Sequence, residues 1–287
     1  MKKLAIAIPA SVVSDTPHLR EKTSKVGLIG RAAAIFRVEE IIIYSDNPHG
    51  NQAGETSLIT TLLSYIETPQ YLRKRLFKLE PQLQYAGILP PLRTPHHPLG
   101  KSSRDLKVGE YREGVVLSRT NDDALIEIGV EKPAITKNAK LPIGKRVTVN
   151  IVSVGEHLET RLANRTEVPT YWGYKVIAEN RPFGKMLKAR SFDLTIATSK
   201  YGLPFAQAVH KIAGRWEQAK NVLVAFGAPT AGLNEIAARE GSSLDDLVDF
   251  VINTIPWQGT ETVRTEEALI ASLATLNASL PDDVKLK

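Results

Sequence analysis

The chain has 287 residues and no cysteine, which excludes disulfide bonds, cysteine-based zinc sites and a cysteine nucleophile. Its 37 Lys+Arg exceed its 31 Asp+Glu and give a formal net charge of +6. This excess favours a polyanionic partner such as nucleic acid, although many basic proteins bind nothing acidic. The length suits two domains, or one domain with an insert.

The N-terminus combines a basic start with a short apolar run. Lys2 and Lys3 precede the apolar residues 4–8, a pattern that secretory signals share. Pro9 ends the run early, and a buried first strand of a parallel sheet accounts for the same residues, so we favour the strand. The alternative is a secreted basic binding protein. No stretch approaches the roughly 18 apolar residues of a membrane span, so we expect no membrane contact. We also expect a cytoplasmic protein.

The first third of the chain alternates between helix and strand patterns. Residues 16–38, 56–66 and 71–79 have helical periodicity, and residues 39–44 read as a buried strand. The third helix carries Arg73, Lys74, Arg75 and Lys78. Such a cluster fits a solvated helix face, and it also fits a contact with RNA phosphates.

The pattern changes after Pro90 and Pro91. Short alternating runs at 111–117, 124–128 and 146–152 replace the helical periodicity and predict a small antiparallel barrel between residues 92 and 166. An OB-like fold fits, and such barrels bind single-stranded nucleic acid. A rigid spacer that only orients the rest of the chain is the alternative.

The predicted barrel is basic and has few aromatic residues. It contains 13 Lys+Arg against 9 Asp+Glu, and Tyr111 is its one aromatic residue. We therefore expect phosphate contacts, and not base stacking, to dominate its RNA binding. The expected contact residues are Lys101, Arg112, Arg119, Lys145 and Arg146. His96 and His97 have no cysteine or patterned acid nearby, so we expect no metal site there.

After Val168 the α/β pattern resumes. Strands are predicted at 193–199, 221–226 and 250–252. One helix is predicted at 204–218, and another after the turn that holds Pro256 and Gly259, with Glu261, Glu266 and Glu267 near its start. Three turns, at 198–202, 227–232 and 253–260, follow the three strands. Because ligands of open α/β sheets bind at the carboxyl ends of strands, three converging turns make a pocket plausible.

The last of these turns is the most informative stretch of the chain. It reads Asn-Thr-Ile-Pro-Trp-Gln-Gly-Thr-Glu-Thr-Val-Arg-Thr-Glu-Glu-Ala from Asn253 to Ala268. A strand, a tight loop and a helix start present backbone N–H groups to a ligand, and Gly259 lets the backbone approach it. Neither a Walker loop nor a dinucleotide fingerprint is present. A simple proline turn between a strand and a helix is the competing interpretation.

This stretch closely resembles the last signature of the SPOUT class of knotted, S-adenosylmethionine-dependent RNA methyltransferases. It is most similar to the archaeal and eukaryotic branch, in which an OB-like domain is inserted in the catalytic domain. Three weaker similarities occur in the family's order: residues 25–36 around Arg31, residues 85–97, and residues 224–233.

The resemblance implies a trefoil-knotted α/β catalytic domain formed by residues 1–91 and 167–287, with an OB-like insert at 92–166. Knots are nearly absent from proteins, so periodicity alone would not predict one. The resemblance also implies a homodimer that pairs through the knotted region, with Arg31 of one chain serving the cofactor pocket of the other. The leucines at 269, 273, 276 and 280, with Ile270, form a stripe wide enough for such an interface.

The resemblance also implies roles for individual residues. S-adenosylmethionine would be held mainly by main-chain groups. Arg31 would stabilise the anion left when a ring nitrogen loses its proton, and a surface arginine on a helix is the alternative. Asn253 would orient the acceptor, or else cap its own strand; we assign no general base. The expected cofactor-binding residues are Thr198, Ser199, Gly202, Gly227, Gly232, Thr254, Ile255, Gln258, Gly259 and Thr260.

The sequence therefore predicts an S-adenosylmethionine-dependent RNA methyltransferase without a metal. The resemblance points to ribosomal RNA, and to N3 of a uridine as the methylated atom. The alternative is a catalytically silent RNA-binding or ribosome-assembly factor that retains the fold.

Overall fold

A computed structural model describes residues 2–120 and 122–280. The chain divides into two compact units. The first comprises the described residues up to Ser64, Gln82–Pro90, and the described residues from Tyr174 onward. The second comprises Tyr65–Pro81 and Pro91–Gly173. The second unit thus includes residues outside 92–166, and the boundaries given above for the insert stay a prediction.

A six-stranded parallel sheet forms the centre of the first unit, in the order β11-β9-β10-β1-β2-β8. Its strands are β1 (Lys3–Pro9), β2 (Glu40–Ser45), β8 (Lys175–Pro182), β9 (Leu194–Pro204), β10 (Asn221–Ala225) and β11 (Phe250–Asn253). The predicted parallel α/β sheet is confirmed. The N-terminal apolar run is β1, whose residues 5–9 are buried between β2 and β10. Burial on both faces explains why the central strands β1, β2 and β10 are mostly apolar.

The described residues contain seven α-helices, and all but the third lie wholly or mostly in the first unit. They are α1 (Leu19–Ile35), α2 (Ala53–Glu67), α3 (Gln70–Leu76), α4 (Phe183–Ala189), α5 (Phe205–Gln218), α6 (Leu233–Arg239) and α7 (Thr265–Ser279). The sequence analysis missed β8, α4 and α6. β8 is an edge strand with mostly solvent-accessible residues, so it lacks the apolar signal of the central strands. The two helices are only seven residues long, too short for a clear periodicity.

The second unit contains α3 and a closed five-stranded barrel in the order β3-β4-β5-β7-β6. Its strands are β3 (Tyr111–Thr120), β4 (Asp123–Glu127), β5 (Ala134–Thr136), β6 (Arg146–Ser153) and β7 (Glu159–Ala163). The expected barrel is present, but it is not wholly antiparallel, because β5 pairs with β7 in parallel. The short strands β5 and β7 gave no recognisable alternation in the sequence.

None of the helices in residues 2–120 and 122–280 is both long and apolar enough to cross a membrane.

Candidate active site

Two cavities open at opposite ends of the strands of the parallel sheet. A cavity of about 260 Å³ lies at the amino ends of β1, β2 and β10, where Lys3, Glu40 and Asn221 line it. A more open cleft of about 350 Å³ lies at the carboxyl ends of β9 and β11. We take the second as the candidate site, since ligands of open parallel sheets bind at the carboxyl ends of strands.

The first expected turn, at 198–202, is a bulge inside β9 and not a turn that ends the strand. The pairing with β11 jumps from Val251↔Ala197 to Ile252↔Leu203, so the five residues between them leave the ladder. Packing within the protein requires a glycine at position 202, because a Cβ there would lie 2.6 Å from the carbonyl carbon of Ile252. Sequence periodicity does not show that a strand resumes after a bulge.

Hydrogen bonds connect this bulge to the neighbouring strand ends. The Thr198 hydroxyl donates to the carbonyl of Ala225 at 3.0 Å, which joins the bulge to the end of β10. The Asn253 Nδ2 donates to the carbonyl of Lys200 at 2.9 Å, which joins the end of β11 to the bulge. The three expected loops therefore meet at one edge of the sheet.

The middle loop, at 227–232, is a tight turn. The Ala228 N–H donates to the Ala231 carbonyl at 2.8 Å, and a Cβ on Gly227 would lie 3.1 Å from that carbonyl oxygen. The Thr265 hydroxyl donates to the carbonyl of Gly227 at 3.1 Å, which fixes the start of α7 to this turn. Gly232 differs, because a Cβ there would meet nothing within 4 Å.

The last loop, at 253–260, is held by its own side chains. The Asn253 Oδ1 accepts from the Ile255 N–H at 2.9 Å, so both ends of this amide are used within the protein. Gln258 donates to the carbonyls of Thr260 and Glu261. This geometry favours the capping interpretation of Asn253. A Cβ at Gly259 would meet nothing within 4 Å, so this part of the backbone is open to a ligand.

A buried ion pair that the sequence analysis missed connects α1 to α7. The Lys25 ammonium lies 2.7 Å from Asp15 and 3.4 Å from Glu266, and it is almost completely buried. Burial would raise the pKa of Asp15, but the hydrogen bond and charge of Lys25 lower it. A signal was present: Glu266 falls on the same helical face as Leu269 and Leu273, and a buried acid needs a cation.

Arg31 lies partly exposed on α1, which packs against α7. The side chains of Leu28 and Ile35, one turn before and after it, are exposed apolar residues on the same helical face. The leucines of α7 expected to form a dimer interface are instead buried within their own chain, and only Ile270 of that stripe is exposed.

Comparison with known proteins gives a family. Residues 3–276 match the family described as "Putative RNA methyltransferase". The chain belongs to this RNA methyltransferase family.

The chain is also similar to individual proteins. A 28S rRNA (uridine-N(3))-methyltransferase of Drosophila melanogaster is 32% identical over 98% of this chain and 63% of its own length. The human protein of the same name is 32% identical over 96% of this chain and 78% of its length. An uncharacterized protein of Haloarcula marismortui is 33% identical over 95% of this chain and 98% of its length. The chain thus spans less than two thirds of the Drosophila relative.

The second unit contains the residues expected to contact RNA, but Arg146 is paired with acidic side chains within the protein. Its Nη1 lies 2.6 Å from Glu67, and its Nε lies 2.6 Å from Glu113. Burial would lower the pKa of Arg146, but the two carboxylates raise it. Burial would likewise raise the pKa of Glu67, but the hydrogen bond from His96 and the charge of Arg146 lower it to about 2.

Arg112 and Arg73 are also engaged within the protein. The buried Arg112 lies 2.6 Å from Glu110, and Arg73 donates to the carbonyls of Ile66 and Thr68. The expected contacts that are exposed to solvent are Lys74, Arg75, Lys101, Arg119 and Lys145. Arg75 pairs with Glu127 at 3.0 Å. Phosphate contact is therefore best expected from the exposed lysines and Arg119.

His96 and His97 serve the same buried network. Both donate from Nε2 to the carbonyl of Glu67, at 2.9 and 2.6 Å. Burial, reinforced by the neighbouring His96, lowers the pKa of His97 to about 4. Over the residues that the structure describes, no cluster of His, Cys, Asp or Glu could hold a metal ion.

Proposed function

We propose that this chain methylates N3 of a uridine in ribosomal RNA, with S-adenosylmethionine as the methyl donor. The family match over residues 3–276 carries the proposal, and the names of the Drosophila and human relatives supply the base and the atom. The meeting of three loops at the carboxyl edge of the sheet supports it. The knot of the SPOUT class and a cytoplasmic location are part of the same proposal.

The loops fit a cofactor bound through the main chain. Open space lies where a Cβ of Gly232 or Gly259 would be, whereas Gly202 and Gly227 are packed against protein. We therefore assign the close backbone approach to Gly232 and Gly259, and structural support to the other two glycines. Thr254 and Gln258 brace the last loop, through Ser272 and through the carbonyls of Thr260 and Glu261. Ser199 and Ile255 complete the proposed lining.

The reaction moves a methyl group from a sulfonium to a ring nitrogen, which must lose its proton. When bound, S-adenosylmethionine supplies the electrophilic methyl carbon. The chain must hold the uracil in line with that carbon and favour its anionic form. Arg31 is the proposed cation for this purpose, because a positive charge near the ring lowers the energy of the anion.

A homodimer is part of the proposal, with Arg31 of one chain reaching the cofactor loops of the other. The exposed Leu28 and Ile35 flank Arg31 on α1, and Ile270 is exposed on α7, the helix against which α1 packs. A two-fold interface would bury such a surface together with Arg31. This surface replaces the stripe of leucines as the structural argument for a dimer.

The barrel is proposed to bind RNA as an OB-like domain. Its closed five-stranded order and its exposed cations support this role. The alternative for the whole chain remains an RNA-binding or ribosome-assembly factor without catalysis.

Cofactor binding separates the two functions. We expect the purified protein to bind S-adenosylhomocysteine at about one per chain, and Gly259→Val to abolish binding because the new side chain occupies the space left for the ligand. Isothermal titration calorimetry measures both. Gly100→Val is the matched control, since its Cβ also meets nothing within 4 Å but lies in the second unit. An unmutated protein that binds none of this ligand would leave only the non-catalytic alternative.

RNA binding by the second unit is tested without deleting it. Removing residues 92–166 would take Arg146 and His96 away from the buried Glu67, so exposed lysines are better targets. We expect a triple Lys74, Lys101, Lys145→Gln variant to weaken binding of single-stranded RNA. The plot of log affinity against log salt concentration should become less steep by about 2, at roughly 0.7 per lost contact.

A triple Lys185, Lys188, Lys211→Gln variant removes the same charge from exposed helical positions in the first unit and is the control. Fluorescence anisotropy at several salt concentrations measures both slopes. Equal slopes for the two variants would show that the barrel is a spacer.

A further inference from the structure

Two aromatic side chains are exposed beside the candidate site. Trp257 is 95% exposed and Tyr201 is 77% exposed. In the part of the chain that the structure describes, every other Phe, Tyr and Trp is buried or only partly exposed. They border the open cleft of about 350 Å³ at the carboxyl ends of β9 and β11. We call this surface the aromatic cleft. Its lining residues are Lys200, Tyr201, Asn253, Pro256, Trp257 and Gln258.

The aromatic cleft also carries a positive charge. The Lys200 ammonium lies 5.1 Å from the centroid of the Tyr201 ring. The bulge in β9 displaces both residues from the ladder, and the Asn253 amide holds the bulge through the Lys200 carbonyl. Proteins bind unpaired nucleotides with exposed aromatic rings and nearby cations. The bases stack on the rings, and the cations attract the phosphates.

The barrel cannot supply base stacking of this kind. Tyr111 is the only aromatic residue between 92 and 166, and it is only partly exposed. The barrel therefore offers charge, which attracts any RNA, whereas the aromatic cleft offers flat surfaces for bases. The aromatic cleft lies between the bulge of β9 and the last loop, so its rings lie where an acceptor base would approach the proposed cofactor site.

We propose that the aromatic cleft stacks unpaired nucleobases of the substrate RNA next to the methylated uridine, with Lys200 contacting the phosphate backbone. The inference rests on the proposed function, because it places the RNA strand at the methyl-transfer site. It names Trp257 as the main stacking residue and Tyr201 as the second. The other occupant to be tested is a second copy of the chain.

Tryptophan fluorescence tests the stacking directly. Trp172 and Trp216 are buried, so Trp257 is the indole that RNA can reach. We expect a short uridine-containing single-stranded RNA to quench the fluorescence, and Trp257→Phe to lose the quenching while retaining most of the affinity. Trp257→Ala should weaken binding by roughly 5- to 100-fold, the usual cost of losing one stacked base. Tyr201→Ala should act in the same direction.

Inorganic polyphosphate, which has charge but no bases, separates stacking from attraction. Trp257→Ala should bind it as tightly as the unmutated protein, whereas Lys200→Gln should bind both RNA and polyphosphate more weakly. Unquenched fluorescence together with unchanged RNA affinity in Trp257→Ala overturns the proposal. A reduced mass by light scattering with unchanged RNA affinity also overturns it and assigns the cleft to a second copy. Titration with S-adenosylhomocysteine tests the methyltransferase proposal independently. Trp257 is not among the proposed cofactor-binding residues, so Trp257→Ala should still bind this ligand.

Discussion

Arg31→Ala is expected to lower the single-turnover rate of methyl transfer by roughly 10²- to 10³-fold, the usual cost of removing one preorganised group that stabilises a developing anion. Affinity for S-adenosylhomocysteine should change little, because the proposed charge acts on the uracil and not on the adenosine. Rapid-quench measurement with saturating RNA gives the rate. Arg20→Ala, an exposed arginine in the first turn of the same helix, is the matched control.

Mixed dimers extend this prediction to the proposed shared site. Light scattering is expected to give twice the chain mass. An Arg31→Ala chain and a Gly259→Val chain should each be inactive alone, and their hybrid should recover part of the activity, since one of its two sites keeps both groups intact. Inactive hybrids of verified composition would contradict the shared site. A near-normal rate in Arg31→Ala would contradict the role of the arginine itself.

Arg146→Met is expected to destabilise the second unit by about 3–5 kcal/mol, the usual cost of leaving a buried carboxylate without its cation. The substitution removes the guanidinium from both Glu67 and Glu113, while His96 and Trp172 continue to donate to these acids. Hydrogen exchange of the backbone amides of β3 and β6, measured at increasing urea concentration, reports the loss of stability in the second unit. Exchange unchanged from that of the unmutated protein would show that the network contributes nothing to stability.

An exposed ion pair provides the control for this network. Arg161 pairs with Glu167 at 2.8 Å, and both side chains are exposed to solvent, so Arg161→Met should destabilise the protein much less than Arg146→Met. Acid provides a second check. The contribution of Glu67, whose folded pKa is depressed to about 2 from an ordinary 4.5, is present above pH 4.5 and is lost as the pH falls towards 2. The difference between Arg146→Met and the unmutated protein should therefore shrink over that range.

The sequence predicted the central strands and the long helices because their physics is local. Residues 5–8 and 41–44 are buried on both faces, and a continuous apolar run is the direct consequence. The edge strand β8 was missed for the same reason, because solvent on one side removes the run. In the barrel, β3, β4 and β6 were found from their alternation, whereas β5, with three residues, was too short to show any.

For the candidate site, the sequence by itself determined which loops meet, because strands of a parallel sheet end at a common edge and each loop follows its strand. It also predicted an RNA methyltransferase, through the residues of the last loop. The tertiary structure alone decided what each side chain does there. Gly202 packs on Ile252 and Gly259 faces open space, although both are glycines in loops. Arg146 and Lys145 are adjacent, yet one is held between two acids and the other is exposed. The physical reason is that residues from distant parts of the chain surround each position, and they decide whether a charge is paired there and whether a Cβ has room. Glu67, for example, is 79 residues from Arg146. No local pattern contains that distance.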